Sequence, residues 1–160
     1  MSNDLKSYEV VMVRSLASLN NKMPDGYRVG GKSFKILVVE DKDFHRKQIV
    51  QILESEEYEI VGIAENGRDA LNQLDKLYEK DKQVDLMTLN LDMPVLDGYA
   101  TVCELQNRSQ KPLVVFVSED TTAGVMKDLV SMGIADYILK PINRKVLLER
   151  IKAVLVKYNV

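Results

Sequence analysis

Five side chains carry chemistry at intervals that only a folded chain could reconcile: the adjacent acids Glu40 and Asp41, the amide Asn90, the hydroxyl Ser118 and the ammonium Lys140. Two carboxylates supply hard oxygen ligands of the kind Mg²⁺ takes. A hydroxyl and an ammonium suit the oxygens of a phosphoryl group. Asn90 is the anomaly. It follows the run Val84-Asp85-Leu86-Met87-Thr88-Leu89 and precedes Leu91-Asp92-Met93-Pro94, where an aspartate could be phosphorylated and an amide cannot. Each residue alone has a plainer explanation, since Glu40-Asp41 and Ser118 could cap the helices that follow them and Lys140 could be a solvated strand end. Jointly they describe a site for a hard cation and a phosphoryl group whose central acid has become an amide.

Each of these residues closes a short apolar run. Strands are expected over 34–40, 58–64, 84–89, 112–118 and 135–139, three of them with the adjacent apolar residues of strands covered on both faces. Helical spacing fills the intervals. His45, Ile49, Ile52 and Leu53 share one face, and Ala70, Leu71, Leu74 and Tyr78 a second. Tyr99, Val102 and Cys103 mark a third helix, with Cys103 as a small buried filler. Val125, Leu129 and Met132 mark a fourth, and Leu147, Ile151, Val154 and Leu155 a fifth, N-capped by Asn143. Five-fold β–α alternation predicts a doubly wound parallel sheet with helices on both faces and right-handed crossovers. Such sheets bind ligands outside the carboxyl ends of their strands, where Glu40-Asp41, Asn90, Ser118 and Lys140-Pro141 fall.

The 160 residues suffice for one ordinary domain and a short appendage. A net charge of −2 offers no basic patch for nucleic acid. The longest apolar runs are strand-length, so no membrane span is expected, and no leader-like pattern opens the chain. A single cysteine leaves no internal disulfide framework or multi-cysteine zinc site. A cytoplasmic protein is the resulting expectation. Residues 1–33 stand apart from the domain expected over 34–160. Tyr8, Met12, Leu16 and Leu19 recur at helical spacing, and the turn-rich residues up to Gly30-Gly31 read as a linker. That helix could dock on the parent domain, fray, bind a partner or dimerise.

Four segments in order, ILVVED (36–41), DLMTLNLDMPVLDG (85–98), VVFVSED (114–120) and GIADYILKPI (133–142), resemble a two-component response-regulator receiver domain, nearest in character to the single-domain chemotaxis regulators. The resemblance implies a flavodoxin-like strand order 2-1-3-4-5. It implies Mg²⁺ held by Glu40, Asp41 and residue 90, with a backbone carbonyl from Asp92. Ser118 would hydrogen-bond the phosphoryl oxygens and Lys140 would pair with them, next to a cis Lys140-Pro141 peptide. Tyr137 matches the switch aromatic, whose ring moves inward as the hydroxyl residue is drawn to phosphate. Asn90 takes the phosphoacceptor position. The expected partners are a sensor histidine kinase and a protein target such as a flagellar switch component. Contact would run through the fourth-helix, fifth-strand and fifth-helix face near Lys127, Tyr137 and Arg144, a face that could also dimerise.

An amide nitrogen has a delocalised lone pair, so Asn90 is a poor nucleophile towards a phosphohistidine donor. It also removes a unit charge from the cation site, an interaction of about 4 kcal/mol at 4 Å and an effective dielectric near 20, which weakens Mg²⁺ binding. Its N–H could instead contact Glu40 or Asp41 and relieve their repulsion. Glu119, where receivers usually carry a small residue, either repels a phosphodonor or faces solvent. Asp92 and Asp120 make the rim electronegative, and His45, the only histidine, is expected at the surface or in an interface. Because Asp41, Ser118, Tyr137 and Lys140 all remain, a single deliberate substitution that traps an inactive receiver is favoured. The alternative is a natural, phosphorylation-independent receiver that serves as a binding module. A hydrolase using Asp92 or Ser118 lacks a general base and a nucleotide loop.

Overall fold

A computed structural model describes residues 23–158 and 160; the stretch containing Tyr8, Met12, Leu16 and Leu19 lies outside them. Five parallel strands, β1 (Lys35–Val39), β2 (Glu59–Ala64), β3 (Leu86–Leu89), β4 (Leu113–Ser118) and β5 (Asp136–Leu139), form one sheet in the order 2-1-3-4-5. Each is one or two residues shorter than its apolar run, because the flanking residues turn into loops. Between the strands run α1 (Asp43–Ser55), α2 (Gly67–Glu79), α3 (Gly98–Leu105) and α4 (Ala123–Ser131), and α5 (Arg144–Lys157) follows β5.

Alternation along the strands divides the interior into two cores. Ile36, Val38, Leu86, Val115, Val117 and Ile138 point to the side of α1 and α5, where Ile49, Leu53, Leu147 and Ile151 cover them. Leu37, Val39, Met87, Leu89, Val114 and Phe116 point the other way, onto Leu71 and Leu74 of α2, Val102 of α3 and Leu129 of α4. The helix starts are fixed by side chains that accept otherwise orphaned amides. Asn66 accepts from Asp69 N, Asp97 from Ala100 N, and Asn143 from Val146 N as expected.

Cys103 departs from expectation. It is exposed, because Val102 takes the buried stripe of α3 and adjacent helical residues point about 100° apart. Residues 23–33, part of the stretch read as a linker, fold back on the foot of the sheet. Gly26 N donates to Glu56 O at 2.6 Å and Phe34 N to Gly26 O at 2.8 Å. A β-carbon at Gly26 would collide with the Glu57–Tyr58 backbone. Arg28 lies over the Phe34 ring and pairs with Asp85, an acid whose side chain is fully buried below β3.

Candidate functional site

The sheet reverses its strand order between β1 and β3, and the crevice above their carboxyl ends is where doubly wound folds take ligands. Glu40-Asp41 leaves β1 there and Asn90 leaves β3. Asn90 N donates to Val39 O at 3.1 Å and Glu40 N to Ala64 O at 2.9 Å, so both residues extend their ladders by one step. Gly98, at the start of α3, leaves room for the Asn90 carbonyl and the Phe116 ring where a β-carbon would strike both. The loop thus folds tightly over residue 90, and Gly98 N closes it on Leu91 O at 2.8 Å.

Asn90 is 5% exposed. Its amide nitrogen donates to Asp41 Oδ1 at 3.1 Å and to the Asp92 carbonyl at 3.0 Å. Of the two contacts foreseen for an amide here, Glu40 or Asp41, the structure has the one with Asp41. Glu40 is buried and turns towards the other side of the rim, where Lys140 Nζ lies 2.5 Å from its Oε1. Both side chains are nearly out of water, at 1% and 3% exposure. The Lys140-Pro141 peptide is cis, and Lys140 N donates to Ser118 O at 2.9 Å.

Residues 40, 41, 90, 118 and 140 therefore gather on one rim, joined through these contacts and the β3–β4 and β4–β5 ladders. They form two subclusters. The Asn90 amide engages Asp41 and Asp92, while Lys140 engages Glu40. Glu40 Oε2 is buried and has no partner among the described residues.

As placed, the side chains do not fit a Mg²⁺ ion. Asp41 Oδ1 and the Asp92 carbonyl, two of the oxygens expected to hold it, each accept a hydrogen bond from the Asn90 amide, which an ion would have to displace. Among the described residues no group of three or more His, Cys, Asp or Glu side chains is gathered as a metal site.

Ser118 is buried, and its Oγ accepts from Asp120 N at 3.2 Å. Tyr137 lies inward. It is 7% exposed, stacks on Phe116 with ring centroids 5.7 Å apart, and its hydroxyl donates to Asp120 O at 2.9 Å. Burial, with smaller contributions from Asp120 and Asp92, raises its pKa against the pull of a Ser118 hydrogen bond. Asp120 itself sits below the ordinary carboxylate value because Thr122 N donates to it at 2.7 Å. Glu119 faces solvent and pairs loosely with Lys42 at 3.5 Å. Arg144, half exposed at the start of α5, donates to Ser55 Oγ at 2.5 Å and pairs with Glu56.

Two participants were missed in the sequence. His45, expected at the surface or in an interface, lies in the rim with Nδ1 3.1 Å from Glu40 Oε1 and 2.9 Å from Lys140 Nζ. Its place in the first turn of α1, on the face shared with Ile49, was the available signal. Arg46 donates to the carbonyl oxygens of Glu40 at 3.0 Å and Asp41 at 3.4 Å and clamps the loop; no sequence motif pointed to it.

A family model described as the response regulator receiver domain matches residues 36–152. The chain is 33% identical over 146 residues to the chemotaxis protein CheY of Treponema pallidum, a match covering 91% of this chain and 99% of that protein. It is 41% identical over 110 residues to a protein-glutamate methylesterase/protein-glutamine glutaminase of Halalkalibacterium halodurans. That match covers 67% of this chain and 30% of the enzyme's length. Among solved structures, CheY from the CheX-CheY-BeF3-Mg²⁺ complex of Borrelia burgdorferi superposes with a TM-score of 0.77 at 28% identity. It covers 82% of this chain and 97% of that one.

Proposed function

The chain belongs to the response regulator receiver domain family, close to the chemotaxis regulators, and from that premise we propose that it is a receiver held permanently unphosphorylated at residue 90 that signals through protein–protein contacts. The observation that carries this is Asn90 itself. It stands buried at the end of β3, where the family's acceptor aspartate belongs, with its nitrogen already bonded to Asp41 and Asp92. A neutral amide cannot form the acyl phosphate, and it weakens any hold on Mg²⁺ by removing a charge.

On this reading Ser118 and Lys140 keep the positions of the phosphate-binding pair, and Ser118 and Tyr137 those of the switch. A sensor histidine kinase and a downstream protein, such as a flagellar switch component, remain the expected partners. The B. burgdorferi relative is described in complex with CheX, which makes a protein partner the natural expectation here too. Function lies in binding and not in turnover.

Two origins fit the amide. The retained Asp41, Ser118, Tyr137 and Lys140 favour a deliberate substitution that traps the inactive form. The inward Tyr137 ring, hydrogen-bonded to Asp120 O, favours the second reading, a phosphorylation-independent receiver whose outer face is already set. The test of the shared claim is incubation with Mg²⁺ and acetyl phosphate followed by intact-mass measurement. No phosphate-sized gain is expected for this chain, and a gain is expected for Asn90→Asp. A gain without that reversion would place the acceptor elsewhere and overturn the proposal.

A further inference from the structure

The Asn90 side chain does more than fail to react. A primary amide carries two N–H protons, and here the nitrogen has two close oxygens, Asp41 Oδ1 at 3.1 Å and Asp92 O at 3.0 Å. Both are obligate acceptors, which fixes the amide's orientation. Turned over, its carbonyl oxygen would face two other oxygens, and all three would go unpaired in a buried place. These are also the oxygens that a receiver would offer to its cation. The remaining acid, Glu40, has its charge matched by the Lys140 ammonium at 2.5 Å.

We infer that the Asn90 amide group takes the place of the divalent cation, its two N–H bonds bridging the Asp41 carboxylate and the Asp92 carbonyl so that the pocket closes without metal. This rests on the receiver reading of residues 41, 90 and 92. It goes beyond the loss of a nucleophile, because the substitution supplies a substitute for the ion as well as removing one of its ligands.

The charge count agrees. Counting only Glu40, Asp41, residue 90 and Lys140, the amide leaves one uncompensated negative charge and an aspartate would leave two; the extra charge is one that a bound cation would offset. A bridging N–H pair holds the two oxygens together with no ion. For Mg²⁺ to enter, the amide would have to turn and surrender both hydrogen bonds, and it would return only a neutral carbonyl ligand. Asn90 is thus a positioning residue for the loop between β3 and α3, and the loop's closure is independent of metal.

The test uses the full chain, with Mn²⁺ binding followed by electron paramagnetic resonance and thermal melting measured in EDTA and in millimolar Mg²⁺. This chain is expected to melt at the same temperature in both and to show no saturable Mn²⁺ site. Asn90→Asp is expected to melt lower in EDTA, to recover with Mg²⁺, and to bind Mn²⁺ at least about tenfold more tightly. Asn90→Ala, which removes both donors, is expected to lose stability and gain no metal response. Mn²⁺ binding by this chain within about threefold of Asn90→Asp would overturn the inference, as would an Asn90→Ala variant as stable as the parent. The receiver reading fails separately: an Asn90→Asp variant that binds metal but takes no phosphate from acetyl phosphate leaves the bridge standing and removes the phosphoacceptor assignment.

Discussion

Two buried acids at opposite ends of the same sheet are treated differently. At the foot, the Asp85 carboxylate accepts from Lys35 N at 2.7 Å and from Gln83 Nε2 at 2.9 Å and pairs with Arg28, so both oxygens are engaged. At the carboxyl-end rim, both strong contacts of Glu40, with Lys140 and His45, fall on Oε1, and Oε2 has no partner among the described residues. A fully partnered buried charge anchors structure, whereas one left half-served marks a place shaped for something other than stability. The foot therefore reads as foundation and the rim as site.

That contrast can be broken most directly at the foot. Asp85→Ala leaves the Arg28 guanidinium without its acid and the Lys35 amide without an acceptor. Denaturant unfolding should show a loss of about 4 kcal/mol, as for one half of a buried pair. A loss below that of any rim variant would reverse the assignment of foundation and site.

At the rim, Lys140→Met keeps the volume and removes the ammonium. Glu40 Oε1 keeps the His45 contact at 3.1 Å, so the expected loss lies at the lower end for a broken buried pair, about 3 kcal/mol, measured in the same way.

The smallest effect concerns a third acid, Asp136, at the start of β5. Burial alone would raise its pKa. Arg150, at 2.6 and 2.5 Å from its two oxygens, together with Tyr137 N, holds it below the ordinary 3.8. A lowered folded-state value means stability that is present above the unfolded value and lost as pH falls through the folded one. Arg150 is half exposed, so Arg150→Ala should cost under about 1 kcal/mol at neutral pH. The gap to the parent should close as pH falls below about 4; a gap that persists in acid would show that Arg150 acts by packing.

Much of this was legible in the sequence. Short, continuous, β-branched apolar runs located all five strands, because a strand covered on both faces leaves few other homes for FKILVV or LVVFV. The rim set at 41, 90, 118 and 140 was legible for a different reason, since doubly wound sheets carry ligands at strand ends. Partnerships were not legible. Asp85 lay inside an apolar run, where a charge in a strand buried on both faces needs a partner, and nothing in its spacing from Arg28 marked the two as a pair. Cys103 was misplaced by a neighbour argument that helical geometry does not support. Residues 24–31 looked like a linker because Pro24, Gly26 and Gly30 are turn formers, and turn formers equally build a docked hairpin.

The clasp of Arg28 on Asp85 also buckles together two stretches remote along the chain. A fragment beginning at residue 34 would strip that guanidinium from a carboxylate wholly out of water, and should melt earlier than one beginning at residue 23.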